Sequence, residues 1–280
     1  METPSRGRSI FERYPQLLTL RGLVPDALVE REIGAGAEAF ERTLEAARRV
    51  IPTVLLKDVF PADIERGAIR MENFLGHWGN VGVETLAKIC LIVRWLRPSR
   101  ILEIGTYNGL TTLQMALNAP SGCVVYTLDL PEGAEPSQPP SALDRMVALS
   151  FRARFGTSTG SYFRDRKGLI IRQLLGDAAT FDYAAHLDGK VDLVFIDAAH
   201  DYESKRIDTD NALRLLAPGG VILWDNFADV TNPEVTRFLL DLGARLPLRH
   251  LKNTMLVVHR DGGTAAPGDA VPARPAKGMR

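Results

Sequence analysis

The sequence predicts an α/β fold: a doubly wound, mostly parallel β-sheet with an antiparallel hairpin at its edge and a helical extension before it. Three observations predict this architecture. Short β-rich runs alternate with helix-compatible stretches from about residue 100 onward, which is typical of right-handed βαβ units. Polar residues stand at the ends of several of these runs. The residues before them contain no long β-rich run.

The composition is that of an ordinary globular protein. The chain has 280 residues, enough for one large domain with an appendage. Lys+Arg and Asp+Glu number 34 each, so no global charge favours nucleic acid or a membrane surface as a partner. Cys90 and Cys123 lack CxxC spacing, which favours two reduced thiols over a disulfide or a zinc site. Without a recognisable secretory signal or membrane-spanning run, we expect a cytoplasmic protein.

Residues 1–80 are predicted to form an N-terminal helical extension. A helix rich in Ala, Glu and Arg is expected over residues 37–50, and Pro52 stops it. Pro61 could open a further short helix at its first turn. We expect the extension to cover a binding site or to mediate a homodimer, and the sequence does not choose between them.

The predicted domain that follows spans residues 81–260. It opens with a helix over residues 83–96, whose apolar positions recur at helical spacing. The next crossover helices are predicted over residues 111–117 and 204–216. Strands are predicted over residues 101–104, 123–128, 169–175, 192–196, 221–224, 246–251 and 255–259. The short connection between the last two favours an antiparallel hairpin. Residues 261–280, rich in Gly, Ala and Pro, are predicted to be a disordered tail.

One long connection, residues 130–168, interrupts the alternation of strands and helices. Its first part is rich in proline, and its second part is basic and aromatic with Gly and Ser. Connections of this length are commonly functional or disordered. We favour a lid or a substrate-facing loop, and a merely solvated insertion is an equally consistent interpretation.

A glycine-containing turn after the first long strand indicates a ligand site. It has the form Glu103-x-Gly105-x-x-x-Gly109 and lies between a predicted strand and a predicted helix. Glycine lets the backbone turn sharply and approach a ligand. The dinucleotide fingerprint GxGxxG is absent, because Tyr107 stands at the second glycine position, and this disfavours a nicotinamide cofactor. The carboxylate of Glu103 suits a ligand that bears an ammonium group.

Acidic residues also follow the next two strands. Asp129 could accept hydrogen bonds from a ribose diol, and Asp177 could bind an adenine amino group. The alternative is that both simply cap turns. Acids at three successive strand ends favour the cofactor interpretation. The candidate cofactor-binding residues are Glu103, Gly105, Thr106, Tyr107, Gly109, Thr111, Asp129, Asp177, Ala178 and Asp197.

The ends of the fourth and fifth predicted strands carry oxygen ligands suited to a metal ion. Asp197 follows the fourth strand, and Asp225 with Asn226 follows the fifth. In a doubly wound sheet these ends share one crevice. Two carboxylates, an amide oxygen and waters suit Mg²⁺ or Mn²⁺. The alternative for Asp225 and Asn226 is an ordinary turn.

His200 is the candidate catalytic base. It follows Asp197 by three residues, and a neutral imidazole is the usual group that removes a proton at neutral pH. The alternative is a histidine that caps the next helix or orients Asp197.

These motifs together resemble those of class I S-adenosylmethionine-dependent methyltransferases, whose fold is Rossmann-like. The resemblance covers residues 83–259 and is closest to the metal-dependent small-molecule O-methyltransferases of the catechol, caffeoyl-CoA and macrolide-sugar types. Their glycine-containing loop corresponds to residues 103–109, their second acid to Asp129, and their cation ligands to Asp197, Asp225 and Asn226. The catechol and caffeoyl-CoA enzymes have a lysine where this chain has His200, which is more like the macrolide-sugar enzymes.

The resemblance implies an O-methyltransferase that transfers a methyl group from S-adenosyl-L-methionine to a hydroxyl of a small molecule, assisted by Mg²⁺ or Mn²⁺. Two alternatives stay open: a metal-independent N- or O-methyltransferase, and a non-catalytic cofactor-binding protein. No motif names the acceptor.

Overall fold

The structure is a computed structural model and describes residues 9–20, 24–74, 79–138, 145, 149 and 158–262. Within these residues, no helix is both long and apolar enough to cross a membrane. The predicted disordered tail lies outside the described residues from position 263 onward.

The described helices alternate with strands after residue 96, as the sequence predicts. Their bounds are Ile10–Arg13 (α1), Asp26–Val29 (α2), Ala37–Val50 (α3), Val83–Leu96 (α4), Leu110–Asn118 (α5), Tyr183–His186 (α6), Tyr202–Leu215 (α7) and Pro233–Gly243 (α8). A π-helical turn spans Glu30–Gly34, and 3-10 turns span Pro15–Leu20, Leu56–Asp58 and Ile64–Arg66.

The strands form one mixed sheet in the described part of the chain. Their bounds are Thr53–Val54 (β1), Arg100–Ile104 (β2), Val124–Asp129 (β3), Ile170–Leu175 (β4), Val191–Ile196 (β5), Leu216–Trp224 (β6), Arg249–Leu251 (β7) and Val257–Arg260 (β8). Their order across the sheet is β1-β7-β8-β6-β5-β2-β3-β4. Only β8 runs antiparallel to its neighbours, β6 and β7, among these strands. The predicted fold class is confirmed.

The register of the central strands aligns their carboxyl ends. Ile104 of β2 pairs with Ile196 of β5, which pairs with Trp224 of β6. The ladder then continues for one residue, because Asp197 N–H donates to Ile104 O at 2.9 Å and Asp225 N–H to Ile196 O at 3.2 Å. The residues just past these strands therefore lie side by side at one edge, at the switch point between β2 and β5.

Burial of the central strands explains why their sequences are apolar throughout. The interior residues of β2 and β5 are covered on both faces, as is typical of parallel sheets. One core lies under α3, α7 and α8, and the other lies under α4 and α5. Trp224, fully buried, donates from Nε1 to Thr209 Oγ1 at 2.9 Å and joins β6 to α7.

The helices at residues 37–50 and 83–96 have their predicted bounds, but several other elements differ from expectation. Helix α8 was not predicted, although it begins at Pro233 and proline is common in the first turn of a helix. The helix expected after Pro61 is only the 3-10 turn Ile64–Arg66. Strand β6 begins at Leu216, five residues earlier than predicted, and this first residue had been assigned to the end of the preceding helix.

The N-terminal segment contributes more than helices to the fold. Strand β1 pairs in parallel with β7 and lies outside the hairpin at the sheet edge. Ala47 and Ile51 belong to the same core as the central strands. A further N-terminal cluster packs against Val230, which follows β6; its buried members are Ile10, Phe11, Tyr14, Leu17, Leu20, Val24, Val29, Ile33, Ala37 and Phe40. The division at residue 80 stays a prediction.

The described parts of the long connection contact the glycine-containing loop or the space in front of it. Gly160 N–H donates to Tyr107 O at 2.9 Å, and Tyr162 N–H donates to Asn108 O at 3.0 Å. The ring of Phe163 packs so closely on Gly109 that a Cβ there would overlap it. Residues 139–144, 146–148 and 150–157, on which part of the lid prediction falls, lie outside the described residues.

Candidate functional site

A cavity of about 1140 Å³ opens at the carboxyl edge of the sheet. Its lining comes from the loops after β2 to β6, from residues 79–82 before α4 and from the turn at 253–255. Gln16, Leu17 and Leu20 of the N-terminal segment also line it. Pockets for one drug-sized ligand measure roughly 300–1,000 Å³, so this cavity has room for two bound molecules.

The loop after β2 passes very close to the end of β5. Gly105 has φ +101°, and a Cβ at this position would overlap the backbone carbonyl of Asp197. Glycine is therefore required for the close approach as well as for the turn. Tyr107, also at positive φ, donates its backbone N–H to Asp129 Oδ2 at 2.7 Å. These contacts fix the loop between β5 and β3.

Most of the residues predicted from the sequence converge on this cavity. Those that line it are Gly105, Tyr107, Asp129, Asp177, Ala178, Asp197, His200, Asp225 and Asn226. Four others lie behind the lining: Glu103, Thr106, Gly109 and Thr111. Thr106 is buried with Oγ1 2.6 Å from Thr127 Oγ1, and Gly109 lies under Phe163. These four residues support the loop from behind and do not line the cavity.

Glu103 is held in a dry environment beneath the loop. It is 1% exposed, and Oε2 accepts hydrogen bonds from the hydroxyls of Thr112 and Thr127. Burial raises the pKa of Glu103 to about 8, although both hydrogen bonds oppose the shift. Its predicted role as the partner of an ammonium group is therefore not supported by its position, which is behind the cavity wall.

Asp129 and Asp177 cap turns and also line the cavity. Asp129 Oδ1 accepts from Leu130 N–H at 2.8 Å, in addition to the bond from Tyr107. Asp177 accepts from Ser137 N–H at 2.7 Å and from Ala179 N–H at 2.9 Å. Burial opposes ionisation of Asp177, but these bonds outweigh it and lower its pKa. Each carboxylate oxygen retains a further lone pair, so capping and ligand binding are compatible.

Asp197 and Asp225 form a buried acidic pair at the ends of β5 and β6. Asp225 is 6% exposed, and its Oδ1 has no hydrogen-bond partner within the described residues. Burial, together with the charge of Asp225, raises the pKa of Asp197 well above its ordinary value. Burial also raises the pKa of Asp225. A buried carboxylate oxygen without a partner is costly, so Oδ1 of Asp225 is suited to bind a ligand.

Asn226 completes a set of oxygen donors beside this pair. It adopts φ +67°, a left-handed conformation that asparagine tolerates better than most residues. Within the described residues, no group of three or more His, Cys, Asp or Glu is arranged to hold a metal ion. The candidate donors are therefore two carboxylates and one amide. Donors of this type fit Mg²⁺ or Mn²⁺, and the partnerless Oδ1 of Asp225 supports that fit.

His200 lies on the same wall of the cavity, between Asp197 and the start of α7. Burial, followed by the charge of Lys205, lowers the pKa of its imidazole to about 4. The charge of Asp229 and an interaction with the Asn226 side chain oppose this shift. The ring is consequently neutral at pH 7 and able to accept a proton, but a pKa this low makes it a weaker base than an ordinary histidine.

Lys205 was missed by the sequence reasoning. It is fully buried on α7, and its Nζ has no hydrogen-bond partner within the described residues. Its charge acts on Asp197, Asp225, Asp208 and His200. A signal was present: Lys205, Asp208, Thr209 and Ala212 follow the spacing i, i+3, i+4, i+7 of one buried helix face.

The loop after β6 adds further lining residues that no motif indicated. Asp229 Oδ1 accepts from the Thr231 hydroxyl at 2.7 Å, and Oδ2 accepts from Asn232 Nδ2 at 3.0 Å. All three residues line the cavity. An Asp-x-Thr-Asn sequence is typical of many turns, so only the fold identifies it as part of a site.

Residues 102–227 match a family model described as a methyltransferase domain. This segment runs from β2 to the residue after Asn226 and includes the loop, the acidic pair and His200. It is a methyltransferase domain. The resemblance predicted from the sequence, to class I S-adenosylmethionine-dependent methyltransferases, is thereby confirmed.

The methyltransferase domain is similar to a curated enzyme over part of its length. Catechol O-methyltransferase of Mycobacterium tuberculosis is 32% identical over 139 residues, which is 49% of this chain and 52% of the relative. The chain thus matches about half the length of this relative.

Solved structures with a similar arrangement include other methyltransferases. An O-methyltransferase from Bacillus cereus, in complex with SAH, has a TM-score of 0.44 at 20% identity and covers 73% of this chain and 89% of its own. The O-methyltransferase TomG from Streptomyces achromogenes, in complex with SAM, has a TM-score of 0.43 at 20% identity. The match covers 78% of this chain and 90% of TomG. At TM-scores this low, neither likeness bears on what this chain does.

Proposed function

We propose that this protein transfers a methyl group from S-adenosyl-L-methionine to a hydroxyl of a small molecule, with a divalent cation held by Asp197, Asp225 and Asn226. One observation carries the proposal. The methyltransferase domain brings a neutral histidine, a buried acidic pair and a glycine-containing loop to the same cavity.

The side of the cavity at β2 to β4 suits the methyl donor. Tyr107, Asp129 and Asp177 line this side, and the two acids keep lone pairs for the ribose diol and the adenine amino group. S-adenosyl-L-methionine supplies an electrophilic methyl group on a positively charged sulfur. The negative lining therefore favours it over a donor rich in phosphates.

The side of the cavity at β5 and β6 suits the acceptor and the cation. Asp197, Asp225 and Asn226 are the oxygen donors for Mg²⁺ or Mn²⁺ on this side. When bound, the cation supplies a Lewis acid that lowers the pKa of the acceptor hydroxyl and fixes its position. Leu17 and Leu20 of the N-terminal segment offer an apolar wall opposite. We expect the segment to exclude water from the reacting groups.

His200 acts as the general base in this proposal. Its neutral ring accepts the proton of the acceptor hydroxyl, and the resulting oxygen nucleophile attacks the methyl carbon in line. Holding the two reactants in one dry cavity supplies much of the acceleration in such a displacement.

Replacing His200 tests the role of this base. We expect His200→Ala to reduce kcat by about 10²- to 10⁴-fold, with little change in S-adenosylhomocysteine affinity. Catechol, after which the mycobacterial relative is named, is the first acceptor to try. His186→Ala is the matched control, because His186 is exposed on α6 and does not line the cavity. Equal activity of His200→Ala and the parent would remove His200 from the mechanism.

The metal part of the proposal needs no acceptor to be tested. We would titrate Mn²⁺ into protein saturated with S-adenosylhomocysteine and measure free Mn²⁺ by electron paramagnetic resonance. The parent should bind one ion, and Asp225→Asn should lose at least about tenfold in affinity. The exposed Asp210→Asn on α7 is the matched control.

Two other results would change the proposal. If S-adenosylhomocysteine binds and Mn²⁺ does not, the methyl transfer is metal-independent, and nitrogen acceptors deserve equal weight with hydroxyls. If S-adenosylhomocysteine does not bind either, the cofactor assignment is wrong. A cytoplasmic location and a homodimer remain predictions from the sequence.

A further inference from the structure

Lys205 is a buried cation with no assigned role in the proposed reaction. Its side chain is 0% exposed, and Nζ makes no hydrogen bond with the described residues. Burying an ammonium group without hydrogen bonds is costly unless nearby charges compensate. Lys205 must therefore be stabilised by charges rather than by direct hydrogen bonds.

The compensating charges come from two elements. Asp208 lies on α7 itself, about one turn after Lys205. Asp201 is the N-cap of α7, and its Oδ2 is also buried without a partner within the described residues. Asp197 and Asp225 lie at the ends of β5 and β6, on which α7 packs. The only other titratable group on which Lys205 is seen to act, among the described residues, is the neutral His200.

Lys205 lies on the protein side of this acidic group. Asp197, Asp208 and Asp225 line the cavity, whereas Lys205 does not. The carboxylates thus have one fixed positive charge behind them and an open space in front. The three acids on which Lys205 acts, Asp197, Asp208 and Asp225, outnumber the one ammonium group. The partnerless Oδ1 of Asp225 belongs to this group, and Asp225 lines the cavity.

We propose that Lys205 is an internal counter-cation that sets how strongly the Asp197–Asp225 pair binds a divalent metal ion. This inference rests on the proposed function, because it requires the pair to be the metal site. An ammonium group behind the carboxylates repels an incoming divalent ion through a medium of low dielectric constant. As long as both carboxylates are ionised, the same donors without Lys205 would bind the ion more tightly. Lys205 thereby weakens metal binding and raises the metal concentration at which the site fills.

A purely structural lysine would behave in the opposite way. If Lys205 only kept the carboxylates in place, its removal would let them rearrange, and metal affinity would fall or stay the same. The sign of the change in metal affinity therefore separates the two roles.

The test uses the Mn²⁺ titration of protein saturated with S-adenosylhomocysteine, run without oxygen at alkaline pH so that protons do not compete with Mn²⁺ for the carboxylates. Lys205→Met keeps the length of the side chain and removes its charge, and we expect the affinity for Mn²⁺ to rise by about tenfold or more. Asp208→Asn removes a neighbouring negative charge and should weaken Mn²⁺ binding. Lys57→Met, at an exposed position outside the cavity lining, is the matched control and should leave the affinity unchanged. Affinity for S-adenosylhomocysteine monitors the integrity of the fold.

The double variant Lys205→Met/Asp208→Asn covers the case in which Lys205→Met does not fold, because it restores the charge balance of the buried group. It should fold and bind Mn²⁺ within a few-fold of the parent. Unchanged or weaker Mn²⁺ binding by folded Lys205→Met overturns the inference, as does loss of binding by the double variant. If the parent binds Mn²⁺ and Asp225→Asn does not, the proposed metal site stands whatever Lys205 does. If the parent protein binds no Mn²⁺, the proposed metal site and the inference about Lys205 are both wrong.

Discussion

The chemistry of the site depends on single residues whose pKa values burial shifts away from those in water. Burial keeps His200 neutral and raises the pKa of Asp197 and of Asp225. Lys205 acts in the opposite direction on both acids, because its charge lowers their pKa. The balance among these four side chains decides whether the pair is ready to receive a cation.

Glu103 gives a pH dependence that can be measured without any ligand. Its pKa is about 8 in the folded protein against an ordinary value of 4.5. Between these values the folded state holds a proton that the unfolded state has released, so Glu103 lowers stability as pH rises through this range. We expect Glu103→Gln to flatten the fall in Tm between pH 5 and pH 8.

The comparison for Glu103→Gln is Glu65→Gln, at an exposed position. That variant should follow the Tm profile of the parent. A Glu103→Gln profile parallel to that of the parent would mean that Glu103 is ionised in the folded protein.

At the scale of elements, the site exists because two loops approach each other across the sheet. The loop after β2 crosses the end of β5 at Gly105, and hydrogen bonds from Gly160 and Tyr162 hold its outer side. The strand register then places Asp197 and Asp225 next to each other. A displacement of either loop would separate the cofactor side of the cavity from the acidic pair.

Gly105→Ala tests this close approach. The added Cβ would overlap the Asp197 carbonyl group, and the φ of +101° adds strain, so we expect a large loss of stability and of S-adenosylhomocysteine affinity. Gly122→Ala is the matched control, because Gly122 has φ +86° with nothing within 4 Å of the added Cβ. It should cost only about 1–2 kcal/mol by denaturant unfolding, with unchanged affinity. Similar losses in both variants would show that backbone strain alone, not the contact with β5, makes Gly105 necessary.

At the scale of the whole molecule, the N-terminal segment and the methyltransferase domain share a core and a cavity. Ala47 and Ile51 pack with the central strands, β1 joins the sheet, and Leu17 and Leu20 line the cavity. The further buried cluster of the segment also includes Val230, so within the described residues its packing too depends on the rest of the chain.

Calorimetric unfolding tests this integration. We expect a single cooperative transition for the whole chain, which S-adenosylhomocysteine moves as one to higher temperature. The calorimetric and van't Hoff enthalpies should agree. Two transitions, of which the ligand moves only one, would instead support residues 1–80 as an independent unit.

The sequence by itself determined the elements and the chemistry of their ends. Apolar runs with β-branched residues predicted the central strands, because such runs are buried on both faces, and the helix at residues 83–96 followed from its apolar spacing. The acids after the strands followed as candidates, because parallel strands end at one edge. Strand β1 escaped prediction because its two residues carry no pattern of their own and are strand only by pairing with β7.

Only the tertiary structure decided which of the candidates reach the cavity. Glu103 has a carboxyl group like that of Asp129, yet the pleat of β2 directs it into the core, where its pKa rises. From the sequence alone Lys205 would be assigned to the surface, but the packing of α7 on β5 and β6 buries it close enough to Asp197, Asp208 and Asp225 for its charge to act on them. Burial and the distances between charges arise from contacts distant in sequence, and these quantities set the electrostatics of the site.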